Sequence, residues 1–322
     1  MQRRCLNKLK KKSMVYAVML FMIVNMLSGC GKRIGEPAAV MPEGYCFTDA
    51  LGQEVTVRKT ERVVALMGSF AEVWLSAGGS LVGVTDDAFD ERGLELSEET
   101  VSVGKYNNPN VEKIIALNPD LVLLSSETKE HAALKEVLKQ AGITAAYFKV
   151  TYFDDYLSML KTCTEITGRE ELYEKNGLAV KTEIEEILSR AKAEEPPSVL
   201  LLITYSGGAV AQNSKTMTGN MLNDLGCKNI ADENQSLLKD FNMESIVKED
   251  PDYIFVIPMG NDDTLAIKNL KESIEKNPAW NGLAAVKNNR YILLPKEKFL
   301  YKPNEKWAES YQYLSEILYG KK

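Results

Sequence analysis

The sequence predicts an α/β protein of two Rossmann-like lobes joined by a single long bridging helix. Three observations carry this: a strand-helix-strand pattern over residues 62–84, a helix-strand unit that recurs 132 residues later, and a long helical periodicity between the two copies. The chain of 322 residues is long enough for two ordinary domains, and 45% apolar with 26% charged residues is a globular composition.

The first 29 residues read as a signal peptide. Arg3, Arg4, Lys8, Lys10, Lys11 and Lys12 form a basic start without a single acid, and Met14 to Leu27 is an apolar run of 14 residues. A bilayer span needs about 20. The Leu27-Ser28-Gly29-Cys30 sequence that follows resembles a bacterial lipobox, in which the cysteine is lipidated and becomes the first mature residue. Residues 30–44, with Pro37, Pro42 and several small residues, read as a lipidated tether. The formal net charge is −6; without the six basic residues of the leader, 33 bases face 45 acids, or −12. So acidic a body excludes nucleic acid as a partner class.

Residues 45–150 form the expected N-terminal lobe. It opens with a hairpin over Tyr45–Val57 around Gly52, continues with a buried strand at Arg62–Leu66, a helix at Ala71–Ala77 closed by Gly78-Gly79, and a short strand at Leu81–Val84. Asn110-Val111-Glu112-Lys113-Ile114-Ile115 then leads to Pro119-Asp120 and an apolar strand, and Asn242-Met243-Glu244-Ser245-Ile246-Val247 leads to Pro251-Asp252 and another. In both copies Asn caps the helix, an acid sits in its first turn, and Pro ends it. Two lobes of like design follow.

The bridge is expected over 151–195. Asp154–Thr167 carries Tyr156, Leu157, Leu160, Cys163 and Ile166 at helical spacing, Gly168 interrupts, and a helix from Glu170 to Ala193 runs to Pro196-Pro197. A helix of about 24 residues extends about 36 Å. Gly177 inside it marks a possible bend. The C-terminal lobe, 196–322, opens with a strand at Ser198–Thr204 and closes with a helix over Asn304–Tyr319.

Composition also limits the chemistry. One histidine, His131, leaves few acid-base options for a Ser-His-Asp arrangement and no multi-histidine metal site, and the five cysteines have no CxxC spacing. No enzyme activity, cofactor or protein-held metal is expected. His131 lies in a charged amphipathic helix over Glu127–Gln140 and reads as exposed; Cys46, Cys163 and Cys227 read as small packed residues; Gly207-Gly208 reads as a turn.

These stretches in this order, "FTDALGQEVTV", "RVVAL", "VEKIIALNPDLVLL", the bridge, "NMLNDLGCKNIA", "MESIVKEDPDYIFV" and "NPAWNGLAAVKNNRYILLP", behind a lipobox, resemble the class III solute-binding proteins of ABC importers. That family contains iron-siderophore, haem and vitamin B12 binders, and the resemblance covers residues 45–322. It implies a cleft between two lobes, modest closure, a permease dimer with its ATPase as partner, and a monomeric, lipid-anchored protein outside the cytoplasm. Ligand contacts are expected just beyond the strand ends: Ser69, Phe70, Asp87, Lys105 and Tyr106 in the first lobe, and Tyr205, Phe241, Met259, Tyr301 and Lys302 in the second. Tyr106 matches the position of an aromatic residue in vitamin B12 binders. The resemblance also places permease-docking glutamates at Glu112 and Glu244. A chelated metal compound, foremost an iron-siderophore, is the expected ligand, with haem or a corrinoid, or a sensor's ligand, as alternatives.

Overall fold

One parallel and one mostly parallel sheet, with cores on both faces, are set by strands whose alternate residues enter different cores. The computed structural model describes residues 44–191, 195–239, 242–260 and 263–320. The signal peptide, Cys30 and the tether up to residue 43 lie outside them, as does Phe241. Residues 39–322 form one unit, to which all that follows belongs.

The antiparallel hairpin of β1 (Tyr45–Thr48) and β2 (Glu54–Val57) pairs Tyr45 with Val57. Asp49 shapes its turn: Oδ1 accepts from the amides of Leu51 and Gln53, at 2.9 Å each. The lobe sheet contains β3 (Val63–Ala65), β4 (Gly83–Val84) and β5 (Val101–Ser102). A small antiparallel hairpin follows, β6 (Gly104–Lys105) with β7 (Asn108–Pro109), and then β8 (Leu121–Ser125) and β9 (Thr144–Phe148) complete the sheet in the order β5-β4-β3-β8-β9, all parallel. In β8, Leu121 and Leu123 enter one core with Phe70 and Trp74 of the Gly68–Ser76 helix, while Val122 and Leu124 enter a second with Ile114, Leu138 and Tyr147. This is the pattern of a strand covered on both sides. The helix expected over 127–140 is two short ones, Lys129–Ala132 and Lys135–Gln140.

The Phe153–Thr167 helix ends at Gly168. The expected single helix from Glu170 is interrupted: Glu170–Tyr173 is α-helical, Glu174–Leu178 forms a π turn, and Ala179–Arg190 resumes the α-helix. Gly177 accounts for the place of the turn. A Cβ there would meet Leu157 Cδ2 at 3.0 Å and Leu160 Cδ2 at 3.1 Å, so any larger residue would have to push these leucine ends aside for the segment to lie as close to the preceding helix. The Tyr156 hydroxyl donates to the Asn176 carbonyl at 2.7 Å, taking up one backbone acceptor in the turn.

The second sheet is built from β10 (Ser198–Tyr205), β11 (Gly208–Gln212), β12 (Lys228–Asn229), β13 (Tyr253–Pro258) and β14 (Tyr291–Leu293). Its order is β11-β10-β13-β14, with β12 beside the start of β10; only β11 runs antiparallel. Gly207-Gly208 lies at the β10–β11 turn, as expected. Val199, Leu201, Phe255 and Ile257 join the same core as Phe70 and the bridge, together with Trp307 and Tyr311 of the terminal Trp307–Tyr319 helix. Leu200, Leu202, Ile254 and Val256 form a separate core around Trp280.

The repeat holds in three dimensions. Asn110 and Asn242 cap the Val111–Ala116 and Met243–Glu249 helices, their Oδ1 atoms accepting from the amides of Lys113 and Ser245. Ile114 and Ile246 are both fully buried. The left-handed residues after the helices are also 132 apart, Asn118 (φ 43°) and Asp250 (φ 41°). Asp120 then accepts from the Arg62 amide ahead of β3, and Asp252 from the Ser198 amide opening β10.

Candidate functional site

Parallel strands put all their carboxyl ends on one edge of a sheet, and the loops there carry the candidate residues. In the first lobe Lys105 and Tyr106 lie at the tip of the β6–β7 hairpin, both exposed, Tyr106 at 41%. His131 fixes this tip. It is fully buried, contrary to the expectation of exposure: its Nδ1 accepts from the Ser125 amide at 3.0 Å, and Nε2 pairs with the Tyr106 carbonyl at 2.7 Å. With Nδ1 accepting, Nε2 carries the proton, and the ring is neutral. Burial pushes its pKa down, opposed by the Tyr106 carbonyl and, more weakly, by Asp87 and Glu130. The charged residues flanking it in sequence gave no hint of this role.

Phe70 is corrected outright. It is 1% exposed and packs edge-on against Phe148 inside the core, because the first turn of the Gly68–Ser76 helix directs it into the sheet. Asp87 is half-buried and accepts from the Gly68 amide at 2.6 Å, bracing the β3–helix junction. Ser69 is buried beneath the second lobe, its carbonyl accepting from Asn304 Nδ2 at 3.0 Å and its hydroxyl without a partner among the described residues. Cys46, expected packed, is exposed on the hairpin beside Thr56; Cys163 and Cys227 are buried.

In the second lobe Tyr205 ends β10 and Met259 follows β13, both exposed and tied together by the Met259 amide donating to the Thr204 carbonyl at 2.7 Å. Lys296, which the sequence did not single out, pairs with Asp263 at 2.5 Å and donates to the Gly260 carbonyl at 2.7 Å. Burial alone would lower its pKa, but Asp263, Tyr301 and Glu91 together outweigh that and raise it. Tyr301 is half-buried, its pKa raised by burial and by Glu91 of the first lobe. Glu91 thus faces Lys296 and Tyr301 from the opposite lobe, and was also missed: it is an unremarked acid in "DDAFDERG".

Where the loops of the two lobes meet, Arg92 pairs with Glu72, with the two side chains 11% and 13% exposed, and its Nη2 donates to the Lys302 carbonyl at 2.8 Å. Asn304 donates to Glu72 at 2.5 Å. The Lys302 ammonium has no ion pair among the described residues; burial pushes its pKa down, Arg92 adds to this, and Glu127 and Asp155 oppose it. A half-buried, unspent lysine next to an arginine disfavours positive charge and suits an anionic ligand. Two cavities lie elsewhere: about 250 Å³ beside Pro197, Asp252, Tyr253 and Arg290 at the opening ends of β10 and β13, and about 190 Å³ under the hairpin beside Phe47, Phe148 and Met159.

Two lobes with their strand ends turned to one another are the geometry of a solute-binding protein, and residues 63–298 match the sequence profile of the periplasmic binding protein family. The chain belongs to that family. A periplasmic binding protein relative, the uncharacterized ABC transporter substrate-binding lipoprotein YvrC of Bacillus subtilis, is 30% identical over 88% of this chain and 89% of its own. The Fe(3+)-citrate-binding protein YfmC of the same organism is 23% identical over 82% and 84%. Among solved structures the siderophore-binding protein BauB, bound to ferric iron and two molecules of acinetobactin, superposes with a TM-score of 0.69 at 18% identity, over 87% of this chain and all of its own. The class III resemblance and the two-lobed α/β class hold. Membership implies a permease with its ATPase and a small-molecule ligand as partners. Relatives are substrate-binding lipoproteins, and no helix among the described residues is long and apolar enough to cross a membrane.

Proposed function

We propose that the protein captures an anionic ferric chelate, a siderophore or ferric citrate, between its lobes and delivers it to an ABC permease. The observation that carries this is Lys302, half-buried beside Arg92 and without an ion pair among the described residues, together with an exposed cation and exposed rings, Lys105, Tyr106 and Tyr205, at strand-end loops of the two lobes. Cations bind the chelate's carboxylates or phenolates, and the rings stack on its faces. Met259 and Tyr301 complete the second lobe's side, and Phe241 stays a candidate from the sequence. The relatives that bind ferric citrate and ferric acinetobactin support the substrate class.

In this reading Cys30 bears the lipid, the body faces out of the cytoplasm as a monomer, and the 45–150, 151–195 and 196–322 segments act as lobe, bridge and lobe. Glu112 and Glu244, both exposed and neither ion-paired among the described residues, dock on permease arginines. Fluorescence titration with ferric citrate, a ferric catecholate, a ferric hydroxamate, haem and cobalamin tests the ligand. One ferric chelate should bind far more tightly than haem or cobalamin, and Lys302→Met should weaken it about tenfold or more. Binding of haem or cobalamin alone, unaffected by Lys302→Met, would sink the proposal.

A further inference from the structure

The hairpin that carries Lys105 and Tyr106 has little of its own to hold it. It is two residue pairs long, Gly104 with Pro109 and Lys105 with Asn108, and residues 105–108 are all exposed, so no side chain there is buried. A hairpin this short is not stable by itself in water. Its base is tied down, the Asp86 amide donating to the Gly104 carbonyl at 2.9 Å and the Asn110 amide to the Val103 carbonyl at 2.7 Å. At the tip, the bond that His131 Nε2 donates to the Tyr106 carbonyl is, among the described residues, the one hydrogen bond joining residues 105–108 to the rest of the lobe.

That bond needs a particular state of the ring. Nδ1 faces the Ser125 amide, a donor, and can meet it only as an acceptor, which leaves the single proton of the neutral imidazole on Nε2 for the Tyr106 carbonyl. Ser125 ends β8, and the Tyr147 hydroxyl of β9 donates to the His131 carbonyl at 3.2 Å, so the sheet itself frames the residue. A second proton has to sit on Nδ1, where two N–H groups would then point at one another. The ring is fully buried, so water cannot take up that conflict; the contact with Ser125 opens, and the tip moves with the ring. The charged groups facing the ring are Asp87, from the Asp87–Asp90 helix, and Glu130 of its own helix; both favour the proton, and burial outweighs them.

We propose that His131 is a positioning residue for ligand capture: its neutral imidazole holds Lys105 and Tyr106 in the conformation that meets the ferric chelate, and protonation of the ring releases them, so that capture weakens in acid. This rests on the ferric-chelate reading above and adds its regulation. Capture is complete while the ring is neutral and declines as pH falls through the folded-state pKa, which lies below 6.5. An anionic chelate acting on His131 through space alone would favour the imidazolium and give the opposite slope.

The test compares the wild-type protein with His131→Gln, whose amide keeps an acceptor and a donor yet takes no proton. Ferric citrate, a ferric catecholate and a ferric hydroxamate are titrated between about pH 7.5 and 5, and the ratio of the two proteins' affinities cancels protonation of the chelate, which both meet alike. For a chelate that binds, that ratio should lie within about threefold of one at neutral pH and turn about fivefold or more against the wild type in acid. His131 is the only histidine in the chain, so nitrogen-15 signals of labelled wild-type protein report its charge without a variant. By the reciprocity of linkage, chelate-loaded protein should keep the ring neutral to a lower pH than free protein; this measurement decides alone if His131→Gln folds poorly. Parallel affinity profiles for the two proteins, or an imidazolium favoured by the bound chelate, would overturn the inference and leave the ferric-chelate reading standing. A wild-type protein that binds none of the three chelates at neutral pH would remove that reading, and the inference with it.

Discussion

His131 holds its imidazole between two backbone groups, and that pairing sets how the protein meets acid. Its folded-state pKa lies below the ordinary value of 6.5, so the unfolded chain takes up a proton that the folded chain refuses. Its contribution is complete above about pH 6.5 and is lost as pH falls toward the folded pKa. The melting temperature should therefore drop between pH 7 and 5, and His131→Gln should flatten that stretch of the profile. A His131→Gln profile parallel to wild type would remove the residue from the acid response. Phe70 and Tyr106 make a contrasting pair. Phe70→Ala should cost about 3–5 kcal/mol of stability by opening the core, whereas Tyr106→Ala should cost about 0.5 kcal/mol or less and weaken ferric-chelate binding by about 1–3 kcal/mol. Thermal melts with calorimetric titration distinguish them; a stable Phe70→Ala protein with weakened binding would return that ring to the cleft.

At the scale of the elements, the two matched aspartates are unequal anchors. Asp252 Oδ2 accepts from both the amide and the hydroxyl of Ser198, at 2.8 Å each, and the Asp252 amide donates back to that hydroxyl at 3.0 Å; among the described residues the Asp120 side chain accepts from the Arg62 amide alone. Asp252→Ala should thus cost about 2–3 kcal/mol and Asp120→Ala about 1–2, and urea unfolding of both would expose any inversion of that order. The repeat that contains them was legible because it is local: cap, acid, buried Ile, Pro and Asp act within twelve residues of one another. What stayed hidden depends on distant partners. His131 looked exposed among charged neighbours because its partners, Ser125 and Tyr106, belong to a strand end and a separate hairpin. Phe70 looked like a cleft residue because strand-end position alone does not say which way the first helical turn points. Arg92 and Lys296 carried no pattern at all, since their partners are Glu72 and Lys302 for one and Asp263 for the other. The π turn was foreshadowed only as a glycine.

Across the whole molecule the two sheets share a core that runs through the bridge, where Phe153 meets Trp307 edge-on with ring centroids 5.9 Å apart. Beside that core a polar clasp joins the lobes: Arg92 to the Lys302 carbonyl, Asn304 to the Ser69 carbonyl, and Ser76 to Glu305. A shared core and a clasp at the same edge leave the opposite mouth as the part able to move, so closure on a ligand should be small. Arg92 is the critical member, because without it the Glu72 carboxylate keeps, among the described residues, the Asn304 hydrogen bond and the weaker pull of the Lys306 charge. Burial already raises the Glu72 pKa against the pull of Arg92, and removing Arg92 raises it further. Arg92→Ala should therefore cost about 2–4 kcal/mol at neutral pH, and the deficit should shrink as pH falls through the raised Glu72 value, where protonation relieves the stranded charge. Small-angle scattering with and without the ferric chelate should show little change for the wild-type protein and a larger one for Arg92→Ala. A variant that melts like wild type at every pH and scatters identically would show that the shared core alone holds the lobes, with the clasp contributing nothing.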